Sequence, residues 1–327
     1  MARTIKIGVM GCANIAKRSV IPAILANDNF KLIAIASRTL AKAKEFGQLF
    51  EVKGIEGYEN LLQDDIDAVY IPLPTGLHEE WVSKALKAGK HVLVEKSFGL
   101  NHLSTCRMLD LAESQELVAM ENFMFPFHNQ HQAVMDILNE GIIGSIRNFR
   151  ATFSFPPLPK DNFRYQTDVG GGAILDAAAY TVKAAQVFLG NELELLSASM
   201  QIDSKRNVDI TGSAHLVYNN RVPVQLSWGF DNYYQCGVEI LGSKGKLTTN
   251  RTYTARAGFE PSALVETPGE SKEVKLPADD HFEKMLNEFS NRIRNNQYLS
   301  SAEEIRQQSY WMGEIQKKSV KGIYETG

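Results

Sequence analysis

The chain has 327 residues, which at about 100–200 residues per domain makes two domains the expectation. Its 35 basic and 38 acidic side chains leave a formal charge of −3, so no global basic field favours nucleic acid or an anionic membrane surface. Hydrophobic residues at 44% and charged residues at 22% exclude disordered, collagen-like and coiled-coil classes and leave a globular enzyme or binding protein.

The first third alternates short apolar runs with helical patterns. Strands are expected at Ile5–Met10, Lys31–Ala36, Ala68–Ile71, His91–Val94 and Leu117–Met120. Helices are expected at about 15–26, 41–50, 79–88 and 103–114. Strands apolar on both faces, alternating with helices, specify a parallel sheet covered on both sides. After residue 123 the strands follow one another instead: Ile146–Phe155, Leu193–Ile202, Ser213–Tyr218, Val222–Trp228 and Cys236–Gly242, with a helix near 173–189. Consecutive alternating strands predict a mostly antiparallel sheet with one open face. The fold class is α/β, with one domain over 1–122 and a second over 123–327. The second closes with a helix at about 302–318, expected to pack back on the first. Cys12, Cys106 and Cys236 are too scattered for a disulfide framework, no signal-peptide core opens the chain, and no apolar run approaches about 18 residues. A cytoplasmic location is the expectation.

The first strand leads into Gly11-Cys12-Ala13-Asn14-Ile15-Ala16. This matches the dinucleotide fingerprint G-x-G-x-x-G/A with alanine at the second glycine. The first glycine permits the tight turn, and the helix that follows offers backbone N–H groups to a pyrophosphate. The second strand ends in Ser37-Arg38-Thr39, without the carboxylate that accepts from a ribose 2′-hydroxyl in NAD sites. A hydroxyl followed by a guanidinium suits a 2′-phosphate. NADP is therefore expected, with NAD kept open; the bland alternative for Arg38 is a solvated loop charge. The fourth strand ends in Glu95-Lys96, at the sheet edge where ligands bind in open parallel sheets.

In the second part, Gly170-Gly171-Gly172 precedes a helix carrying Asp176 and Tyr180 at i and i+4, on one face. The glycines would let backbone come close to a ligand. Hydride addition to a carbonyl leaves an alkoxide that needs a proton. An ammonium beside a phenol stabilises the phenolate, so Tyr180 as acid and Lys96 as polariser form a coherent pair. No HxH, HExxH or clustered-cysteine pattern points to a metal.

These blocks, with Ile71–His78, Ala85–Lys96, Glu121–Phe125, Gly141–Gly144 and Gly170–Asp176, together resemble the glucose–fructose oxidoreductase / inositol dehydrogenase / MocA family over essentially the whole chain. In that family the Glu-Lys pair is normally followed by proline, where this chain has Ser97, and many relatives carry Arg or Tyr where Pro126 stands. The resemblance implies a Rossmann domain plus an α/β domain with a large open sheet. It implies cofactor contacts from Gly11, Cys12, Ala13, Asn14, Ile15, Ser37, Arg38, Glu95, Lys96 and Asn122, and from the loop Pro72, Leu73, Pro74, Thr75 and His78. His78 reads equally as a structural histidine. It implies substrate contacts from Phe125, Arg164, Asp176 and Tyr180, Arg164 being either a partner of a diphosphate or a surface charge. Asp176 would bond a substrate hydroxyl or orient Lys96.

Asp-x-x-x-Tyr, rather than Asp-x-x-x-His, resembles the tyrosine-acid branch, and the start of the chain is most similar to its nucleotide-sugar 3-ketoreductases. The expected activity is NADP-dependent hydride transfer at a sugar carbonyl, on a nucleotide-linked keto-sugar of deoxysugar biosynthesis. The alternatives are a free-sugar or trans-dihydrodiol dehydrogenase, or a cofactor-binding regulator without turnover. A homodimer or homotetramer through the open sheet is expected, with no nucleic-acid or membrane partner.

Overall fold

The computed structural model describes residues 3–325. The chain divides into two compact units. Among the described residues, one comprises 3–123 and 282–309, the other 124–281 and 310–325.

In the first unit, β1 (Ile5–Met10), β2 (Phe30–Ser37), β3 (Lys53–Glu56), β4 (Ala68–Ile71), β5 (His91–Glu95) and β6 (Ala119–Asn122) form one sheet in the order β3-β2-β1-β4-β5-β6. All pairs are parallel. The order reverses between β1 and β4, which opens a crevice at the carboxyl ends of those strands. Ile7, Val9, Val69 and Val92 are fully buried because helices cover both faces. A π-helical turn (Ala16–Val20) runs into α1 (Ile21–Leu25), and α2 (Leu40–Leu49), α3 (Tyr58–Leu62), α4 (His78–Lys87) and α5 (His102–Ser114) follow. Asn101 starts α5 through a reciprocal capping box with Ser104.

The second unit begins with α6 (Asn129–Asn139) and β7 (Ile146–Ser154). After α7 (Ala179–Leu189) come β8 (Leu193–Asp203), β9 (Val208–Tyr218), β10 (Val222–Gly229), β11 (Gln235–Gly242), β12 (Lys246–Thr249), β13 (Ser262–Thr267) and β14 (Glu270–Lys275). Helix α8 (His281–Arg294) and the first half of α9 (Ala302–Lys318) contribute to the first unit, and β15 (Ser319–Tyr324) returns to the second. The nine strands run β14-β13-β12-β11-β7-β10-β9-β8-β15. Only β7·β10 and β8·β15 are parallel. Alternation decides the two faces. Phe149, Ala151 and Phe153 of β7 are buried. Arg150 and Thr152 point the other way and bond Gln225, Glu239 and Ser227 on adjacent strands. No helix among the described residues is long and apolar enough to cross a membrane.

Several elements differ from the expectation. β6 lies two residues later than the apolar run Leu117–Met120, because Glu121 and Asn122 are buried in the strand by hydrogen bonds rather than by apolar character. The expected helix near 173–189 begins as a π-helical turn (Ile174–Ala178) before α7. Strands β3, β12, β13, β14 and β15 and helices α3, α6 and α8 were not anticipated.

Candidate functional site

In the first unit the candidate residues gather at the carboxyl ends of the parallel strands. Gly11 ends β1 with φ +127°, and its N–H donates to Ala36 O at 2.9 Å. A Cβ there would stand 2.9 Å from Leu73 Cδ2, so glycine is needed for the turn to pass beneath the β4 loop. Cys12, Ala13 and Ile15 are half-buried and Asn14 is exposed as the chain turns into the helix. This cradle of small residues and helix-start N–H groups fits a pyrophosphate. Ser37 is buried at the end of β2 and Arg38 beside it is exposed. Burial pushes the Cys12 thiol up, against a hydrogen bond with Ser37. With no carboxylate at this strand end, the residues fit a dinucleotide that carries a 2′-phosphate.

The loop after β4 holds Pro72, Leu73 and Thr75 buried and Pro74 half-buried. His78 is fully buried, its ring nitrogens lying against Leu73 O at 2.8 Å and Ser97 O at 2.9 Å. Burial lowers its pKa. The ring therefore ties the β4 loop to the β5 loop, and the expected cofactor contact gives way to a bracing role. The Lys96–Ser97 peptide bond is cis. Glu95 accepts from Tyr70 Oη at 2.5 Å and from Asn122 Nδ2. Burial pushes its carboxyl up, while the hydrogen bonds from Tyr70 and Asn122 and the charge of Lys96 act in the opposite direction. Lys96 itself is half-buried. On β6, Glu121 accepts the Phe98 N–H at 2.7 Å and so fixes the turn after Lys96.

In the second unit Tyr180 is 8% exposed and sits in an aromatic cage. Its ring centroid is 4.7 Å from Phe153, 5.5 Å from Tyr253 and 5.8 Å from Phe125. Phe125, expected to touch substrate, is completely buried and backs the tyrosine ring instead. Asp176 receives Arg164 in a two-pronged pair, Nε at 2.7 Å and NH2 at 3.2 Å. Arg164 also covers the Phe163 ring at 4.7 Å. Two residues expected to meet the substrate separately are thus bound to each other, with the carboxylate side chain 14% exposed.

Gly171 and Gly172 face the chain's own atoms. A Cβ on Gly171 would stand 2.6 Å from Arg164 O, and one on Gly172, at φ +115°, 2.2 Å from Asp209 Oδ1. These two are required by the chain's own packing, and they deliver the helix start to Asp209. Sequence reasoning missed this residue. From β9 its carboxylate accepts the Ile174 N–H at 2.6 Å and that of Ala173, taking the part of an N-cap for the helix that carries Tyr180. Burial pushes it up to about 6 against those bonds. No local signal marks it, because the acid lies 35 residues from the helix start. Among the described residues no group of three or more His, Cys, Asp or Glu is placed to hold a metal ion.

A Rossmann unit with a modified dinucleotide turn, joined to an open-sheet unit that presents a caged tyrosine, defines a nicotinamide-dependent oxidoreductase. Residues 5–123 match the oxidoreductase family with an NAD-binding Rossmann fold, and residues 131–248 match the Gfo/Idh/MocA C-terminal domain. The chain belongs to the Gfo/Idh/MocA family.

It is 42% identical to the dTDP-3,4-didehydro-2,6-dideoxy-alpha-D-glucose 3-reductase of Actinomadura kijaniata, over 94% of each chain. It is 40% identical to the reductase of the same name from Saccharopolyspora spinosa, over 90% of this chain and 89% of that one. The crystal structure of an Actinomadura kijaniata 3-ketoreductase in complex with NADP and TDP-benzene superposes with a TM-score of 0.96 at 38% identity, covering 99% of this chain and 100% of that one. Structures of that ketoreductase also exist with a tyrosine changed to phenylalanine and with a lysine changed to alanine. The two replaced residues are as far apart in its sequence as Lys96 and Tyr180 are here.

Proposed function

We propose that this protein reduces the keto group of a nucleotide-linked sugar with NADPH, in the manner of the dTDP-keto-sugar 3-reductases of deoxysugar biosynthesis. The observation that carries the reading is the match of Lys96 and Tyr180, within a similarity spanning nearly all of both chains, to the lysine–tyrosine spacing of the related ketoreductase. When bound, NADPH supplies the hydride. Gly11 and the N–H groups of residues 12–15 hold its pyrophosphate, Ser37 and Arg38 hold its 2′-phosphate, and the Pro72–Thr75 loop with Asn122 lines the remainder of its site.

Lys96 polarises the substrate carbonyl. As the carbon gains the hydride, the carbonyl π electrons move to oxygen. Tyr180 transfers its hydroxyl proton to that oxygen, giving the alcohol, and recovers a proton from solvent. The ring cage of Phe125, Phe153 and Tyr253 keeps the phenol in one orientation. Asp176, fixed by Arg164, bonds a sugar hydroxyl. The protein acts as a homo-oligomer through the exposed face of the nine-stranded sheet. There Ser199, Ser213 and Gln201 form a polar surface beside the 62% exposed Leu196, and sedimentation analysis reporting a monomer at micromolar concentration would refute this.

The purified protein, given NADPH, is to be tested against nucleotide-linked keto-sugars beside free sugars and trans-dihydrodiols with NADP. NADPH oxidation on the first panel alone is the expected result. Turnover confined to the other panels replaces this reading with a dehydrogenase, and no turnover on any favours a regulator.

A further inference from the structure

Three neighbouring strands bring a buried polar group to the residue before Lys96. β4 supplies Tyr70, β5 Glu95 and β6 Asn122, with Glu95 directly opposite Asn122 in the sheet. Tyr70 is fully buried and Asn122 is 1% exposed. Both donate to the same oxygen, Glu95 Oε1, and the Lys96 N–H adds a third hydrogen bond to this carboxylate. A fully buried phenol hydroxyl costs free energy unless it is paired. Phenylalanine would fill the same space, so the service of the hydroxyl is to Glu95.

We propose that Tyr70 is a positioning residue: with Asn122 it holds the Glu95 carboxylate in place beside Lys96, and so steadies the lysine ammonium for its work on the substrate oxygen. The proposal rests on the functional reading above. Four charged or titratable groups stand around Glu95 among the described residues. Lys96 follows it in the chain, and Tyr70 faces it from β4. Glu121 on β6 is occupied with the Phe98 N–H. His78, from the start of α4, lies against the Ser97 carbonyl. Of the influences that oppose the burial of Glu95, the Tyr70 hydrogen bond is the largest. Removing it shifts the carboxyl toward its neutral form.

The test uses the full chain loaded with NADP and labelled with ¹³C at its glutamate carboxyls, the Glu95 signal being the one lost in Glu95→Gln. In Tyr70→Phe the Glu95 titration midpoint is expected to rise by about one pH unit. The acid limb of kcat rises with it, so that the rate falls about tenfold below the limb and far less above it, while the affinity for NADPH stays within about twofold. Glu95→Gln removes the limb altogether, and this variant carries the test should Tyr70→Phe not fold. An unchanged Glu95 titration, or a rate loss equal at every pH, overturns the proposal and reduces Tyr70 to packing. If the wild-type protein fails to reduce keto-sugars, the functional reading falls, and the carbon titration still decides the coupling of Tyr70 to Glu95.

Discussion

The two units assemble their chemistry by different routes. In the first, the candidate groups stand on loops, strand ends and the start of a helix at one edge of a parallel sheet, close in sequence to a strand that is buried on both faces. In the second, the proposed acid stands on a helix whose position is set from afar. Asp209 on β9 holds the helix start, and Phe125, Phe153 and Tyr253, drawn from three separate segments, cage the ring. A parallel βαβ unit ties site to strand locally, whereas an open sheet builds its site by long-range closure. Damage to the second unit should therefore spread from packing to catalysis, while damage at the edge of the first should stay confined to one ligand group.

The largest effect tests the acid itself. Tyr180→Phe should lower kcat by about 10²–10⁴, the range of a positioned proton donor. Because the phenyl ring keeps its cage, NADPH affinity measured by fluorescence quenching should stay within about twofold. A near wild-type rate would falsify the assignment of Tyr180 to proton transfer and leave the cage as ordinary core.

Next in size is the helix anchor. Gly172→Ala places a methyl on a positive-φ residue and against the Asp209 carboxylate. The cost is about 1–3 kcal/mol for the backbone conformation, with the loss of the cap adding about 1 kcal/mol. A fall in Tm together with a loss of kcat is expected, since the disturbed turn leads directly to Tyr180. A fall in Tm with full activity would show that the anchor supports the fold and not the acid.

Much of this was legible in the sequence, and the reasons are physical. The alternation of apolar runs and helices marks the parallel sheet because burial on both faces leaves an unbroken apolar signature, as in Ile5–Met10. Strand β14, Glu270–Lys275, escaped notice because it is an exposed edge of mostly charged residues. The positions of Lys96 and Tyr180 were readable from motif context. What each rests upon was not, because Tyr70 meets Glu95, and Asp209 and Tyr253 meet the helix of Tyr180, through contacts between residues distant in the chain. The glycine triplet misled for a related reason: a close approach of backbone looks the same in sequence whether the neighbour is a ligand or the chain itself.

Acid provides a further contrast within the second unit. Burial first, and the neighbouring His128 second, drive His131 down to about 3 and His281 to about 4. Each has a folded pKa below the ordinary 6.5. Its stabilisation is therefore present above about 6.5 and is lost as pH falls through the folded value. Asp209 runs the other way. Its folded value, about 6, lies above the ordinary 3.8, so its contribution is present below that value and is lost as pH rises through about 6. Between pH 6 and 4 unfolding takes up protons on two histidines and releases one from the aspartate. Stability should fall on acidification by up to about 1.4 kcal/mol per pH unit. Calorimetric Tm values from pH 7 to 4.5 measure the slope, and His131→Phe should make it shallower. A flat profile would mean that these rings do not titrate with unfolding.

The smallest effect belongs to the first unit, where a single exposed group is expected to act alone. Arg38 has no burial to shield it, so its attraction for a 2′-phosphate works through water and weakens with salt. Arg38→Ala should raise the Kd of NADPH by about tenfold, the scale of one charged hydrogen bond. Affinity for NADH should not change, because NADH has no 2′-phosphate to lose. Tm and kcat at saturating NADPH should stay as they are, since the side chain is exposed. The NADPH penalty should also shrink as ionic strength rises from about 0.05 to 0.5 M, as the screening length shortens. A loss shared equally by both nucleotides, or one insensitive to salt, would mean that Arg38 shapes the loop instead of reading the phosphate, and local failure in the first unit would then resemble the spreading failure expected of the second.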